Sequence, residues 1–335
     1  MDLSHWEEKE SSTRIEFVFI SQEVLMPLTF GWRIPDFPDD GSDVEAFRAQ
    51  IFPYLDTLHS HFDAVWVGDH FFPWMDRFDQ STDTIEAWTT LTYVLGRYPR
   101  FRGGTIVLSQ AYRPPALLAK MALNLQWISG GRFILGVGAG WKENEYRAYG
   151  YPFPSAGARI AELDEAVQII RAMFHDPSPA FQGETYHIEG AYGTPRTAPP
   201  PLLIGGSGRK KTLRVVAKYA DMLNFANCST ETYRELLGVL EEHCHAVGRD
   251  FGEIRRTYAA ECAAIAPDRA EVERILRESP FGEWDTIAGT PEEMIAQIEQ
   301  YAALGIEHII LRFPDFPRTT CAERFLRDVL PHVQK

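Results

Sequence analysis

Cysteine is scarce in this 335-residue sequence: only Cys228, Cys244, Cys262 and Cys321 are present. None stands in a C-x-x-C pair, and all four fall in the C-terminal half. That argues against a zinc site or a disulfide framework, so no metal is expected and a reducing compartment fits best. Positive charge is also short, with 33 Lys and Arg against 47 Asp and Glu, a net charge of -14. Phosphate backbones and anionic membrane surfaces demand a basic stripe, so neither nucleic acid nor membrane is an expected partner. No apolar run approaches the roughly 18 residues of a spanning helix. The start, Met1-Asp2-Leu3-Ser4-His5-Trp6-Glu7-Glu8, has no apolar h-region. No secretory signal is read there, and a cytoplasmic protein is expected. H-E-x-x-H, G-x-S-x-G and P-loop patterns are absent, which removes the commonest metalloprotease, serine hydrolase and nucleotidase signatures.

What is present is a globular composition: 45% hydrophobic, 24% charged and 13% aromatic residues. A chain of this length can form two domains, but α/β barrels of this size form one. Residues 1–13 read as a flexible polar lead. From there short apolar, β-rich runs alternate with longer helix-periodic runs. Strands are expected at Ile15–Ile20, Ala64–Val67, Gly104–Leu108, Phe133–Val137, Leu202–Ile204, Met222–Phe225, Thr257–Ile265 and His308–Arg312. Helical sequence follows each. Pro114 and Pro115 open one helix where a missing N–H costs nothing, Gly248 caps another, and Thr290-Pro291-Glu292-Glu293 forms a capping-box start. Short strands that are apolar on both faces and joined by helices imply a parallel sheet. Eight such units predict a single (β/α)8 TIM barrel over residues 14–335. Two stretches break the alternation. Residues 175–199, after the fourth helix, are expected to hold a short hairpin and a lid, and residues 279–289 form a second irregular insertion.

In a barrel of this kind the chemistry sits where strands end. The second strand is followed by Gly68-Asp69-His70-Phe71-Phe72-Pro73-Trp74. Asp69 and His70 can supply acid–base chemistry near neutral pH, and Trp74 can flank a planar ring. The bland alternative is a hydrogen-bonded structural pair beside a buried tryptophan. Gly103-Gly104-Thr105-Ile106-Val107-Leu108 suggests either a bulge or ordinary strand entry. Gly136-Val137-Gly138-Ala139-Gly140-Trp141 lacks the spacing and position of a dinucleotide fingerprint and better suits a flat cofactor lying on backbone. Gly205-Gly206-Ser207-Gly208-Arg209-Lys210-Lys211 opens a helix with basic residues in its first turn. Such residues oppose the helix dipole, so a ligand phosphate explains them better than helix stability does. His243 and His245 lie two apart in a helix and are not a paired ligand set, and His187 and His308 read as structural.

Taken together and in this order, these segments resemble the luciferase-like flavin and deazaflavin oxidoreductase superfamily, and most closely its F420-dependent branch. The matching pieces are Phe62–Phe71, Glu86–Leu91, Gly104–Leu108, Gly136–Trp141, Asn144–Tyr146, Leu203–Gly208 and Gly289–Glu293. The resemblance implies a TIM barrel with a cofactor ring over the strand mouths. It implies His70 as the acid–base residue, with Asp69 orienting it or meeting the cofactor, and Trp74 beside the reacting centre. A cis-peptide bulge behind the ring is implied among Thr105, Ile106 and Val107. Gly138, Gly140 and Asn144 would line the ring and its side chain, and Gly205, Gly206, Ser207 and Gly208 would hold the cofactor phosphate. The superfamily's sugar-phosphate dehydrogenases carry a proton-donating Glu where this chain has Trp141. Tryptophan cannot serve in that role, so a more apolar substrate pocket is expected. Trp74, Trp141 and Phe71 would form it, joined by Phe30, Trp32 and Phe72 where these face the mouth.

The function so implied is hydride transfer between coenzyme F420 and a small organic substrate. The alternative is an FMN-dependent two-component monooxygenase that takes reduced FMN from a partner reductase and activates O2. A homodimer through an apolar surface around Trp88, Tyr93 and Trp127 accords with the family's habit.

Overall fold

The computed structural model describes residues 28–284 and 287–334. The expected lead over residues 1–13 and the expected strand Ile15–Ile20 lie outside them. The barrel's first strand is β1 (Thr29–Arg33). The other staves are β2 (Ala64–Val67), β3 (Arg102–Thr105), β4 (Phe133–Gly138), β5 (Leu202–Gly205), β6 (Met222–Ala226), β7 (Arg255–Ala260) and β8 (Ile306–Leu311). Every neighbouring pair is parallel, β8 pairs with β1, and β3 pairs with β4, so the sheet closes on itself. This is the (β/α)8 barrel that the alternation of short apolar runs and helices implies.

Around it lie α1 (Val44–Leu58), α2 (Ala87–Arg97), α3 (Pro115–Ile128), α4 (Glu143–Ala148), α5 (Ala156–His175), α6 (Thr212–Tyr219), α7 (Thr230–Val247), α8 (Arg269–Glu278) and α9 (Pro291–Ala302). Their ends follow local chemistry. Thr290 and Glu293 form the reciprocal capping box with Pro291 in the first turn of α9. Gly248 ends α7 in the left-handed conformation, its N–H returned to Cys244.

The side chains of β1 and β2 divide by strand alternation. Phe30 and Trp32 point outward into the helix layer, where Phe30 meets Phe325 edge-on and Trp32 stacks on Tyr54 at 4.6 Å. They therefore cannot line the mouth, contrary to the expectation. Trp66 points inward and fills the lumen with Ala64, Ile134, Leu203, Met222, Ala259 and Ile310. Gly31 and Gly104 make room for it, since a Cβ on either would stand 2.5 or 2.2 Å from the indole.

Three local features shape the mouth. The register between β3 and β4 is Gly104 to Ile134 before Ile106, but Leu108 to Val137 after it, so β3 holds one extra residue. That bulge contains a cis Ile106–Val107 peptide, where the resemblance places one. The expected strand Thr257–Ile265 is two: β7 stops at Ala260, and Ala263–Ile265 pairs with Ile287–Gly289 as a small separate sheet. With α8 this builds a satellite core of Met75, Cys262, Val272 and Phe281, against which Trp74 and Trp284 pack. The hairpin after α5 forms as expected, with Ala180–Gln182 antiparallel to His187–Glu189. Its turn is fastened to α5 through Glu165, which accepts from the N–H groups of Glu184, Thr185 and Tyr186. None of its residues lines the cavity described next.

Candidate active site

The C-terminal ends of seven staves converge on one cavity of about 480 Å³, within the range of small-molecule sites. One wall is nearly free of side chains. Ile106 and Val107 of the bulge, Gly138 to Gly140 after β4, and Gly205 to Ser207 after β5 form it. These segments press together closely: a Cβ at Gly138 would lie 2.7 Å from Val107 Cγ2, and one at Gly205 would lie 2.9 Å from Val107 Cγ1. The result is a flat strip of backbone with a valine at its centre, the shape that a planar ring requires. The strip runs on to Thr212, the first residue of α6, where unpaired N–H groups can meet an anion. Lys210 and Lys211 are exposed there, while Arg209 pairs with Glu235 at 2.8 Å.

The opposite wall carries the polar and aromatic groups. His70 lies between Trp74 (ring centroids 6.2 Å apart) and Trp141 (5.7 Å, edge-on). Trp74 in turn stacks on Trp284 at 5.2 Å, and its indole N–H has no hydrogen-bond partner among the described residues. Trp141 is 58% exposed, as befits a residue at the rim.

Asp69 and His70 are adjacent in sequence but go to different partners. The Asp69 carboxylate takes both nitrogens of the Arg113 guanidinium, at 3.0 and 3.1 Å, and the Ser109 N–H at 2.9 Å. Burial pushes its carboxyl above the ordinary value, against the pull of Arg113 and Ser109. His70 Nδ1 lies 3.1 Å from both oxygens of Glu145. Glu145 is almost fully buried at the start of α4, where it also accepts from the Phe71 N–H at 2.9 Å and the Tyr112 hydroxyl at 3.2 Å. Burial, and then the charge of Glu145, push the Tyr112 hydroxyl well above its ordinary value, so it remains a donor. The partner of the His70 ring is therefore Glu145 and not Asp69.

Beneath Trp74 lies a buried charge cluster. Arg33, at the end of β1, pairs with Glu261 and with Asp36 at 3.2 Å, and its guanidinium sits 5.6 Å from the Trp74 ring centre. Arg312 lies 3.8 Å from Glu261 and 3.9 Å from Asp39. Burial raises the Asp39 carboxyl. At Asp36 burial acts the same way but is outweighed by Arg33, His70 and Arg312, which hold it low.

Of the expected site residues, the cavity thus gathers Asp69, His70, Trp74, Ile106, Val107, Gly138, Gly140, Trp141, Gly205, Gly206 and Ser207. Four do not line it. Thr105 is buried behind the strip, its hydroxyl bonded to Gly136. Phe71 turns into an aromatic cluster with Tyr112 and Tyr149. Asn144 points outward to Gln80, and Gly208 lies exposed beside Thr212. Phe72 also lies outside the lining. The residues that sequence reading passed over are Arg33, Arg113, Glu145 and Glu261. Each lies at a strand's C-terminal end or in the connection that follows one, and that position is the signal that could have found them. Among the described residues no group of three or more His, Cys, Asp or Glu could hold a metal ion.

The chain is similar to known proteins along most of its length. The family model described as luciferase-like monooxygenase matches residues 60–284, about two thirds of the chain. An F420-dependent glucose-6-phosphate dehydrogenase of Amycolatopsis mediterranei (strain U-32) is 28% identical over 310 residues, covering 81% of this chain and 90% of that protein. A solved F420-dependent secondary alcohol dehydrogenase in complex with an F420-acetone adduct superposes with a TM-score of 0.76 at 21% identity, over 92% of this chain and 100% of the other. The EDTA monooxygenase from Chelativorans sp. BNC1 superposes with a TM-score of 0.75 at 14% identity, over 92% and 93%. The two structures share the fold, one a dehydrogenase and one a monooxygenase, while the family match runs from the strand that delivers Asp69 and His70 to the tryptophan that stacks on Trp74: this chain belongs to the luciferase-like monooxygenase family.

Proposed function

We propose that this oxidoreductase transfers a hydride between coenzyme F420 and a small, largely apolar organic substrate. The observation that carries the reading is one cavity with two unlike walls: a flat backbone strip, and facing it His70 with a ring nitrogen that has no protein partner among the described residues. The name of the Amycolatopsis relative supports F420 over FMN. The strip fits a planar tricycle, and the exposed Lys210 and Lys211 by the α6 N-terminus fit the phosphate of its side chain. Bound F420 supplies two-electron hydride chemistry at its ring.

The chain's own residues do the rest. The strip and bulge hold the ring flat. Trp74, backed by Trp284, and Trp141 enclose the substrate and exclude water. His70 Nε2 exchanges the proton that accompanies the hydride at the substrate's oxygen. Asp69, fixed by Arg113 and Ser109, sets the loop on which His70 rides. The rim residue Trp141, where the resemblance implies a proton-donating carboxylate in the sugar-phosphate dehydrogenases, is an indole that cannot donate in that role, which supports a substrate other than a sugar phosphate. Exposed Tyr93, Leu117, Trp127 and Ile128 on α2 and α3 support the homodimer reading, which sedimentation velocity tests. Trp88 does not belong to that surface, since it packs edge-on against Phe133.

The deciding experiment is anaerobic titration with F420 and with FMN, each oxidised and reduced. Micromolar F420 binding with weak FMN binding is expected. A panel of small alcohols, aldehydes and enones, followed by F420 absorbance, then finds the substrate. His70→Ala is expected to keep cofactor affinity and lose turnover by roughly 100-fold or more. Preference for reduced FMN with oxygen uptake would overturn the reading in favour of a two-component monooxygenase.

A further inference from the structure

We propose that Glu145 is the positioning residue for His70, fixing the imidazole in the tautomer that carries its proton on Nδ1 and presents a bare Nε2 to the cavity. The inference rests on the proposed role of His70, and deepens it.

Donors and acceptors around Glu145 fix the assignment. Each oxygen of Glu145 already receives one hydrogen bond: Oε1 from the Phe71 N–H at 2.9 Å and Oε2 from the Tyr112 hydroxyl at 3.2 Å. Those two donors lock the plane of the carboxylate. His70 Nδ1 then lies 3.1 Å from both oxygens. A carboxylate only accepts, so the group on Nδ1 is an N–H. In the neutral ring this leaves Nε2 as a lone pair, and no described protein group meets it. A proton taken up at Nε2 makes an imidazolium whose second N–H already points at a buried negative charge. Giving that proton up restores the same neutral tautomer. Glu145 thus holds the ring through both halves of the proton's movement without itself reaching the substrate.

The obvious rival for this role is Asp69, and its geometry rules it out. Both of its oxygens are taken by Arg113, and one also by the Ser109 N–H. Glu145 has no arginine or lysine within ion-pair distance among the described residues, so no permanent cation competes with His70 for it.

Glu145→Gln gives a sharp test. The substituted side chain can keep its carbonyl oxygen on the Phe71 N–H. Its amide then replaces the acceptor at Oε2 with a donor 3.1 Å from His70 Nδ1, where a ring N–H would meet it donor to donor. The substitution thus favours Nδ1 as acceptor and the ring proton on Nε2 while the shape is kept. The readout is the long-range 1H–15N correlation spectrum of protein labelled with 15N-histidine, followed upward in pH until the His70 signals stop changing, so that the spectrum itself identifies the neutral ring. The His70 signals are assigned by their loss in His70→Gln. The native ring is expected to show Nδ1 protonated, and the Glu145→Gln ring Nε2 protonated. With a turnover substrate from the panel above, Glu145→Gln is expected to lower kcat by about 100-fold or more, with cofactor affinity unchanged. Glu145→Asp is expected to recover part of that loss, and Tyr112→Phe, which spares the His70 contact, to cost less than about tenfold.

A native spectrum with the proton on Nε2 would overturn the proposal, and it needs no variant, so the test survives a Glu145→Gln chain that fails to fold. An unchanged tautomer and unchanged kcat in Glu145→Gln would overturn it equally. If the tautomer flips but His70→Ala keeps full turnover, the positioning by Glu145 stands and the proton-transfer role of His70 falls.

Discussion

His308 makes the stability of this barrel depend on pH in a direction and amount that the structure specifies. The residue sits on β8, buried at the N-terminal end of the lumen. The Trp66 indole N–H donates to its Nε2 at 2.9 Å, so Nε2 must be bare. Its Nδ1 lies 2.8 Å from the Thr29 hydroxyl, which itself donates to the Glu307 carbonyl at 2.9 Å. The Thr29 proton is thus spent, and Nδ1 must be the donor. Every site around the ring suits a neutral imidazole. A second proton would break the Trp66 bond and add a charge to a pole already holding Arg102 and Arg255. Burial, then those two arginines, push the His308 pKa down to about 3. In the unfolded chain the same ring titrates near 6.5. Between those values the unfolded state binds the extra proton and the native state does not. Stability contributed by the neutral ring is therefore intact above about pH 6.5 and is lost as the pH falls toward 3. From these values the loss is about 2 kcal/mol at pH 5 and approaches about 5 kcal/mol below pH 3. Urea unfolding of the native protein and of His308→Gln, at pH 7 and at pH 5, isolates the term, because the carboxylates common to both cancel. The native protein is expected to lose about 2 kcal/mol more than the variant across that interval. Equal losses would refute the reasoning, as would a His308 ring resonance that titrates between pH 5 and 8.

Glycines that make room should be separable from glycines that do not. A Cβ at Gly136 would stand 1.9 Å from the Thr105 carbonyl oxygen, so Gly136→Ala is expected to cost roughly 3 kcal/mol, whereas Gly96, open on the face of α2, should yield about 0.5–1 kcal/mol of added stability as Ala; thermal unfolding of both variants checks the pair. Arg113→Ala strips the buried Asp69 of its partner and should destabilise the fold by about 3 kcal/mol near pH 8. Because burial already raises the Asp69 carboxyl, the orphaned group is expected to protonate, and the deficit measured by urea unfolding should shrink at pH 5; a deficit independent of pH would contradict this. Gly138→Val pushes on Val107 at the centre of the strip and is expected to weaken F420 binding roughly tenfold, about 1.4 kcal/mol, without loss of fold, so unchanged affinity in the titration would remove the strip from the cofactor site.

Most of the barrel could be read from period and punctuation, and where the reading failed the cause is local. β1 is the sequence Thr29-Phe30-Gly31-Trp32-Arg33, five residues with a glycine in the middle and a charge at the end. Nothing in it resembles a buried parallel strand until one sees that Gly31 makes room for Trp66 and that Arg33 ends in a charge cluster with Glu261 and Asp36. With a strand expected at Ile15–Ile20, outside the described residues, and none at Thr29–Arg33, Arg33 is not legible as a strand-end residue, nor is the cluster beneath Trp74. The strand expected over Thr257–Ile265 is cut short by that same cluster. Glu261 is pulled into that cluster, and the chain leaves the barrel there although its apolar run continues to Ile265.

The candidate site divides along the same line, between what backbone shape demands and what side chains choose. The glycine strip was legible because close approach to a flat surface leaves few other residue types available, and the runs around Gly138 and Gly205 declare it. The partners of Asp69 and His70 were not, because adjacency in sequence says little about adjacency in space at a strand's end. Asp69 faces the loop before α3 and finds Arg113; His70, one residue on, faces α4 and finds Glu145. Both partners come from later strand–helix connections, 44 and 75 residues downstream of their acceptor and ring. A carboxylate next to a histidine in sequence invites the reading that the first orients the second. Here an arginine has claimed the first, and a carboxylate from another connection meets the ring instead. The motif around His70 therefore points to a ring at the cavity while leaving the support of that ring to be found in the fold.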